Sequence, residues 1–216
     1  RGESGVHTYC IFDHPASYPG WTMTEARFAA KLQPWLDYIH VDDLRSGPFP
    51  LLKGDKYVYS GNQYDNLAYG FTSPSKKLGV FFVLTSHEFL SGGPTKPELY
   101  AHGEHPTMLA YWRSSHYTGA NVSVKQGEQW TRVVGPLMVY VNEGATHKAM
   151  VADAKAKLQR EQAQHDHQRY RHDEGLEGVR RAQAFHRRQH RDRGGQHAVA
   201  IEQRQAQKSG NADGGL

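Results

Sequence analysis

Leu78-Gly-Val-Phe-Phe-Val-Leu84 is the stretch of sequence that decides the fold. Seven residues pass without a polar side chain, and β-branched and aromatic residues dominate the run. A strand with one face in water alternates apolar and polar side chains, whereas a strand covered on both faces is apolar throughout. This run therefore predicts a strand buried between two layers.

Short β-rich segments lie on both sides of this run. Asn, Gly, Pro and Ser separate them, and such regular punctuation is typical of antiparallel sheets. We predict a mostly β fold, an antiparallel β-sandwich over residues 1–145. The predicted strands other than 78–84 are 5–12, 35–41, 56–60, 67–72, 105–117 and 130–141.

The segment from Thr24 to Leu32 has two interpretations. Its Ala, Glu, Arg and Lys residues favour a short helix, but Pro34 would end that helix almost at once. The same residues are compatible with an extended segment, so the sequence leaves both open.

The last quarter of the chain changes character. Residues 146–164 are rich in Ala, Lys, Gln and Glu, with Met150, Ala154 and Leu158 at spacings that share one helical face. We predict a surface helix there. Residues 165–216 hold only two of the 24 aromatic residues and show no apolar periodicity, so we predict a disordered tail.

Composition excludes several functional classes. The pI is about 9.1, but ten of the 26 Lys and Arg residues lie in the predicted tail, so a nucleic-acid partner is not expected. No apolar run reaches the roughly 20 residues of a membrane-spanning helix. The single cysteine, Cys10, excludes an internal disulfide, and the 14 histidines lack the spacing of a tetrahedral metal site. We expect no metal and no cofactor.

Two short segments supply the candidate chemistry. Gly92 and Gly93, followed by Pro94, predict a tight turn that a ligand can approach closely, and Lys96 follows it. His116 lies in a Ser-Ser-His-Tyr run twenty residues later. Taken singly, these residues are more often a hairpin turn, a solvated lysine and a structural histidine.

Several blocks taken together resemble one family. In order along the chain, residues 4–15, 25–32, 88–99, 115–117, 127–130 and 134–142 are similar to signature blocks of the rhamnogalacturonan lyases of polysaccharide lyase family 4. The most informative is Glu88-Phe-Leu-Ser-Gly-Gly-Pro-Thr-Lys-Pro-Glu-Leu99. The resemblance extends over residues 2–164, and its specificity comes from the order of the blocks.

The resemblance implies an enzyme that cuts the Rha-(1,4)-GalA bond of the pectic polysaccharide rhamnogalacturonan I by β-elimination. It implies that Lys96 is the base and His116 the acid. Arg27 is the residue expected to clamp the substrate carboxylate, since guanidinium binds carboxylate through two hydrogen bonds. A structural salt bridge is the alternative role for Arg27. The resemblance also implies a secreted protein that is a monomer when complete.

Physical chemistry alone leaves part of this assignment open. Histidine, with a reference pKa near 6.5, is able to serve as acid or as base. Lysine needs burial or a neighbouring cation to act as a base at neutral pH, and we expect Arg27 to be that cation. Tyr117 is a candidate for stacking on a sugar ring, but on one regular strand Tyr117 and His116 point to opposite faces.

The chain also departs from the family pattern. Family members have further sheet before and further β domains after the matching region, and the likeness stops at residue 164. We therefore expect a fragment of the catalytic domain, with a non-homologous tail that arises from a shifted reading frame or is a flexible extension. Three alternatives to an active enzyme remain: an inactive lyase fragment, a carbohydrate-binding β module, and a nucleic-acid binder acting through the Arg-rich tail.

Overall fold

The computed structural model describes residues 4–52, 56–62, 66–87, 90–91, 95–103, 105–118 and 121–165. The predicted tail lies outside these residues except for His165, as do Gly92 and Gly93. The strands are β1 (Gly5–His14), β2 (Trp21–Met23), β3 (Glu25–Lys31), β4 (Tyr38–His40), β5 (Ser46–Pro48), β6 (Ser60–Asn62), β7 (Ala68–Ser73), β8 (Leu78–Leu84), β9 (Pro97–Leu99), β10 (Ala101–His102), β11 (Thr107–Ser114), β12 (Val122–Val124) and β13 (Trp130–Glu143). Helix α1 covers residues 147–165.

The fold is mostly β, antiparallel and sandwich-like, as the sequence predicts. Six strands form one sheet in the order β1-β13-β8-β7-β4-β5, and three form a second in the order β10-β11-β3. The two-stranded pairs β12-β2 and β6-β9 complete the described sheets. Every strand pair is antiparallel.

Strand β8 lies inside the six-stranded sheet and is covered on both faces. Phe82 and Leu84 belong to the core between the two sheets, whereas Phe81 and Val83 belong to a second core on the opposite face. Complete burial of such a side chain contributes about 1.5–3 kcal/mol. The unbroken apolar run 78–84 is thus explained by two buried faces.

The core between the sheets joins the large sheet to β3, β10 and β11. Tyr69 and Phe71 of β7 contribute from the large sheet, and Met108 and Ala110 contribute from β11. Phe28 of β3 packs against the same cluster, with its ring centroid 5.6 Å from that of Phe82. One side of β3 therefore faces the core, and its other side faces outward.

Helix α1 covers the second core. Met150 and Ala154 are buried against the large sheet, and Leu158 packs beside them, as the predicted helical face requires. The Thr146 hydroxyl accepts a hydrogen bond from the Ala149 N–H at 3.1 Å, which caps the first turn of the helix. Within the described residues, no helix is long and apolar enough to cross a membrane.

Tertiary contacts decide the secondary structure of two segments. Residues 25–31 form strand β3 because β11 pairs with them, so the extended interpretation is correct. The predicted strand over 56–60 is wrong: Lys56–Tyr59 is a 3-10 turn, and the strand β6 begins at Ser60. The turn buries Tyr59, whose backbone carbonyl accepts from the Tyr100 N–H at 2.8 Å, and leaves Tyr57 exposed.

Candidate functional site

Strand β3 presents Glu25 and Arg27 on its outward side, because residues two apart on a strand share a face. Arg27 is paired with Tyr111 in the register of β3 and β11. Its Nη1 donates to the Tyr111 hydroxyl at 3.0 Å and also forms an ion pair with Glu25. The guanidinium carbon lies 5.7 Å from the centroid of the Tyr111 ring. Arg27 is thus fixed by two neighbours.

The protonation states of this pair follow from their surroundings. The hydrogen bond from Arg27 to Tyr111, together with the nearby Glu25 carboxylate, raises the pKa of Arg27. Burial raises the pKa of Tyr111. Arg27 therefore stays a cation and Tyr111 a neutral phenol across the physiological pH range.

Lys96 and Glu98 form a buried ion pair at strand β9. Lys96 directly precedes the strand, and its Nζ donates to Glu98 Oε2 at 2.6 Å. The side chains are only 8% and 1% exposed. The second oxygen of Glu98 accepts from the Leu99 N–H at 3.1 Å. Burial and two hydrogen bonds fix this carboxylate in place.

His116 lies between two carboxylates. Its Nδ1 is 3.8 Å from Glu98 Oε1, and its Nε2 is 3.8 Å from Glu25 Oε2. These separations allow Coulombic attraction but are too long for hydrogen bonds. The side chain is 46% exposed, so solvent or a ligand reaches it. Lys96, Glu98, His116, Glu25 and Arg27 therefore form one continuous charged network.

A bend after β11 places His116 in this network. The strand ends at Ser114, whose hydroxyl accepts from the His116 N–H at 3.0 Å. Tyr117 then has φ of 46° and ψ of 49°, in the left-handed region, which non-glycine residues rarely adopt. The bend brings the rings of His116 and Tyr117 to 6.3 Å, so the opposite-face arrangement of a regular strand does not apply.

Ser91 connects this bend to the segment that precedes Gly92. Its N–H donates to the Tyr111 carbonyl at 3.0 Å, and its hydroxyl accepts from the Ser114 N–H at 2.8 Å. Ser91 is buried. The start of the predicted glycine turn is thereby attached to the strand that carries Tyr111 and leads to His116.

The structure brings the predicted residues Lys96, His116 and Arg27 into one network, with one correction. The expected cation beside Lys96 is not Arg27: the structure pairs Lys96 with the carboxylate of Glu98, and Arg27 with Glu25. The reason is strand alternation, since each cation finds the acid two residues away on its own segment.

Sequence reasoning missed Glu25, Glu98 and Tyr111. The spacing Glu-Ala-Arg and Lys-Pro-Glu was the available signal for the two acids, because alternate residues share a face of a strand. Tyr111 had no local signal, since its contact with Arg27 depends on the pairing of β3 with β11. Among the described residues, no group of three or more His, Cys, Asp or Glu side chains is arranged to hold a metal ion.

Comparison with known proteins adds no assignment: no family model matches the chain, and no curated protein matches it.

Proposed function

We propose that the chain is the catalytic region of a rhamnogalacturonan lyase, which cuts the Rha-(1,4)-GalA bond of rhamnogalacturonan I by β-elimination. One observation supports the proposal most strongly. Lys96 and His116 contact the same carboxylate, Glu98, at 2.6 and 3.8 Å. The two side chains that the reaction needs as base and acid are therefore held side by side.

The reaction requires three roles. A base removes H5 of the galacturonate, the C5–H electrons form the C4=C5 double bond, the C4–O4 bond breaks, and an acid protonates O4. Because negative charge develops beside the sugar carboxylate, a cation must stabilise that carboxylate in the transition state. Lys96, His116 and Arg27 are assigned to these roles in that order, and no cofactor is needed.

The geometry around Lys96 fits the role of the base. The ammonium of Lys96 that pairs with Glu98 in the unliganded site must first lose one proton. The neutral amine then has two N–H groups and one lone pair, so it is able to donate to Glu98 while it offers the lone pair to H5. Glu98 then acts as a positioning residue, because its hydrogen bond fixes where the amine nitrogen lies. The buried position of both side chains limits competing contacts with water.

His116 suits the acid because it is accessible. It is half-exposed and follows a bend that is held by Ser114, so it is able to contact the departing O4. A protonated imidazole donates from both ring nitrogens, and each nitrogen faces a carboxylate oxygen in the unliganded site. Substrate binding replaces one of these long contacts with a hydrogen bond to O4.

Arg27 suits the carboxylate clamp because part of its guanidinium is available. The contacts with Tyr111 and Glu25 both use Nη1. Within the described residues, Nη2 and Nε have no hydrogen-bond partner, and the side chain is 47% exposed. These two nitrogens form the fork that binds a carboxylate through parallel hydrogen bonds.

Tyr117, Gly92 and Gly93 complete the proposed substrate contacts. Tyr117 packs beside the buried cluster of Leu99, Leu109 and Tyr111, close to the His116 ring. An aromatic face beside the acid is suited to stacking against a sugar ring. The two glycines follow Ser91 in the sequence and are proposed to allow close approach of the pectic chain.

A non-catalytic carbohydrate-binding module is the second candidate. The observation that favours it is the burial of Lys96 together with its short contact to Glu98, because a buried, fully paired lysine also serves a purely structural role. Under this hypothesis Arg27 and Tyr117 bind the pectic chain and no bond is broken.

Ultraviolet absorbance separates the two candidates. Incubation with rhamnogalacturonan I is expected to produce the conjugated chromophore of an unsaturated uronate, and homogalacturonan serves as the control polysaccharide. Binding of rhamnogalacturonan I without any chromophore would establish the binding module and refute the lyase. Neither binding nor chromophore would refute both.

A further inference from the structure

A groove of about 340 Å³ extends from Arg27 along the outer face of the sheet β10-β11-β3. Arg27 and Lys31 lie at its two ends, with Ala29 and Leu109 between them. Thr107, His102 and His105 line the end that holds Lys31. The groove is therefore continuous with the candidate site through Arg27.

Strand register explains this arrangement. Arg27, Ala29 and Lys31 alternate onto the outward side of β3, and at about 3.3 Å per residue the two cations are about 13 Å apart along the strand. Lys31 is paired with Thr107, which is paired in turn with His102. A row of donors thus crosses the sheet at the far end of the groove.

The charges at the two ends differ in one respect. Arg27 is partly neutralised by Glu25, whereas no carboxylate of the described residues pairs with Lys31, His102 or His105. All three are exposed. The far end consequently presents hydrogen-bond donors and the positive charge of Lys31, and the described part of the chain supplies no carboxylate partner for them.

The middle of the groove is small and apolar. Ala29 has a single methyl group, and Leu109 is its partner in the register of β3 and β11. A ligand that fits must carry anionic groups at intervals and an apolar face between them. The closely spaced phosphates of a nucleic acid match this pattern poorly, because that ligand presents charge continuously along its length.

We propose that this groove binds a second uronate carboxylate of the same polysaccharide chain, with Lys31 as the main contact and His102 and His105 as further donors. The proposal rests on the lyase function only for the identity of the polysaccharide. Its physical basis is the pair of cations at opposite ends of one apolar groove.

Titration calorimetry with a rhamnogalacturonan I hexasaccharide tests the groove, in the full chain with His116→Ala so that the sugar is not consumed. Adding Lys31→Gln is expected to weaken binding about tenfold, the equivalent of one charge-assisted hydrogen bond. Lys76→Gln, an exposed lysine in the turn between β7 and β8, is the matched control and is expected to change nothing. Thermal unfolding of each variant checks that the fold is retained.

A carboxyl-reduced hexasaccharide is the neutral probe, and inorganic phosphate is the small-anion probe. The proposal is overturned if Lys31→Gln binds the hexasaccharide as tightly as its parent, if the reduced sugar binds equally well, or if phosphate alone saturates the groove.

The groove proposal and the lyase proposal are refuted by different results. Absence of elimination together with a Lys31-dependent affinity would refute the lyase and retain the groove, and elimination with a Lys31-independent affinity would do the reverse.

Discussion

Glu98 connects the candidate base to the candidate acid, and its burial makes it costly to change. Glu98→Gln leaves the Lys96 ammonium buried without a counter-charge. Removing one member of a buried pair typically destabilises a protein by about 3–5 kcal/mol, and we expect a loss of that size in urea unfolding.

Two controls make the result specific to the pair. Glu143→Gln, an exposed acid at the end of β13, is expected to change the free energy of unfolding by less than about 0.5 kcal/mol. Adding Lys96→Met to Glu98→Gln should recover most of the loss, because the unpaired charge is then gone. If the double variant is as unstable as Glu98→Gln, the charge is not the cause.

His40 on β4 is a second buried ionisable residue, and it predicts a pH dependence of stability. Burial, with a contribution from nearby Lys155, lowers the pKa of His40 to about 4. Its Nδ1 lies 3.0 Å from the Ser46 hydroxyl, which in turn lies 2.7 Å from Nε2 of His147 at the start of α1. Burial lowers the pKa of His147 as well.

The direction of this pH dependence follows from the protonation of His40 in the folded and the unfolded chain. Between pH 6.5 and about 4 the unfolded chain binds a proton at His40 and the folded chain does not, so acid favours unfolding. We expect His40 to account for a loss of about 3 kcal/mol as the pH falls through this window, and for no further loss below it. Urea unfolding at several pH values should show a flatter profile in His40→Gln, and equal profiles would refute the assignment.

At the scale of elements, the close pairing of β7 and β8 depends on Gly70. A Cβ at this position would lie 2.1 Å from the Val80 carbonyl oxygen and 2.7 Å from the Phe81 Cα. Because both atoms belong to the backbone, the strands must separate to admit it. Gly70→Ala is expected to lower the free energy of unfolding by about 1–3 kcal/mol or more.

Gly47 on β5 provides the matched control for this substitution. The nearest atom to its added Cβ is Leu51 Cδ2 at 3.6 Å, an ordinary van der Waals contact. Gly47→Ala should therefore leave the stability unchanged or slightly higher, since alanine restricts the unfolded chain. Equal losses in both variants would show that close approach at Gly70 is not what matters.

How well the sequence predicts an element depends on whether the deciding contacts lie within that element or with a distant part of the chain. The run Leu78–Leu84 predicts β8 correctly because burial on both faces is encoded in its own residues. Residues 25–31 are ambiguous in isolation because the partner β11, eighty residues away, decides between helix and strand. Residues 56–60 mislead because a turn, rather than a strand, buries Tyr59 while leaving Tyr57 exposed.

The contacts of the candidate site also divide into local contacts, which the sequence indicates, and distant contacts, which it does not. The pairs Glu25–Arg27 and Lys96–Glu98 are local and were accessible from the alternation of strands. The contact between Glu98 and His116 depends on the bend after β11, where the Ser114 hydroxyl accepts from the His116 N–H, and the sequence contains no local signal that brings His116 to Glu98. Only the folded chain shows that base and acid candidates meet at one carboxylate.

At the scale of the whole described fold, the two faces of the large sheet have different neighbours. One face is covered by helix α1, and the other packs on the sheet that contains β3 and β11. The outward side of β3 is left to carry Arg27 and the groove that ends at Lys31. The strands thus position Arg27 and Glu98, and the bend after β11 positions His116.

The central claim is that Lys96 and His116 act together in β-elimination. The most direct measurement is the rate of chromophore formation from rhamnogalacturonan I for the parent chain, Lys96→Ala and His116→Ala, with Lys76→Ala as the control and thermal unfolding as the check on folding. We predict chromophore formation by the parent and by Lys76→Ala, and at least a hundredfold lower rate in each of the other two, the usual contribution of one acid–base group. Parental turnover in a folded Lys96→Ala or His116→Ala variant would contradict the account.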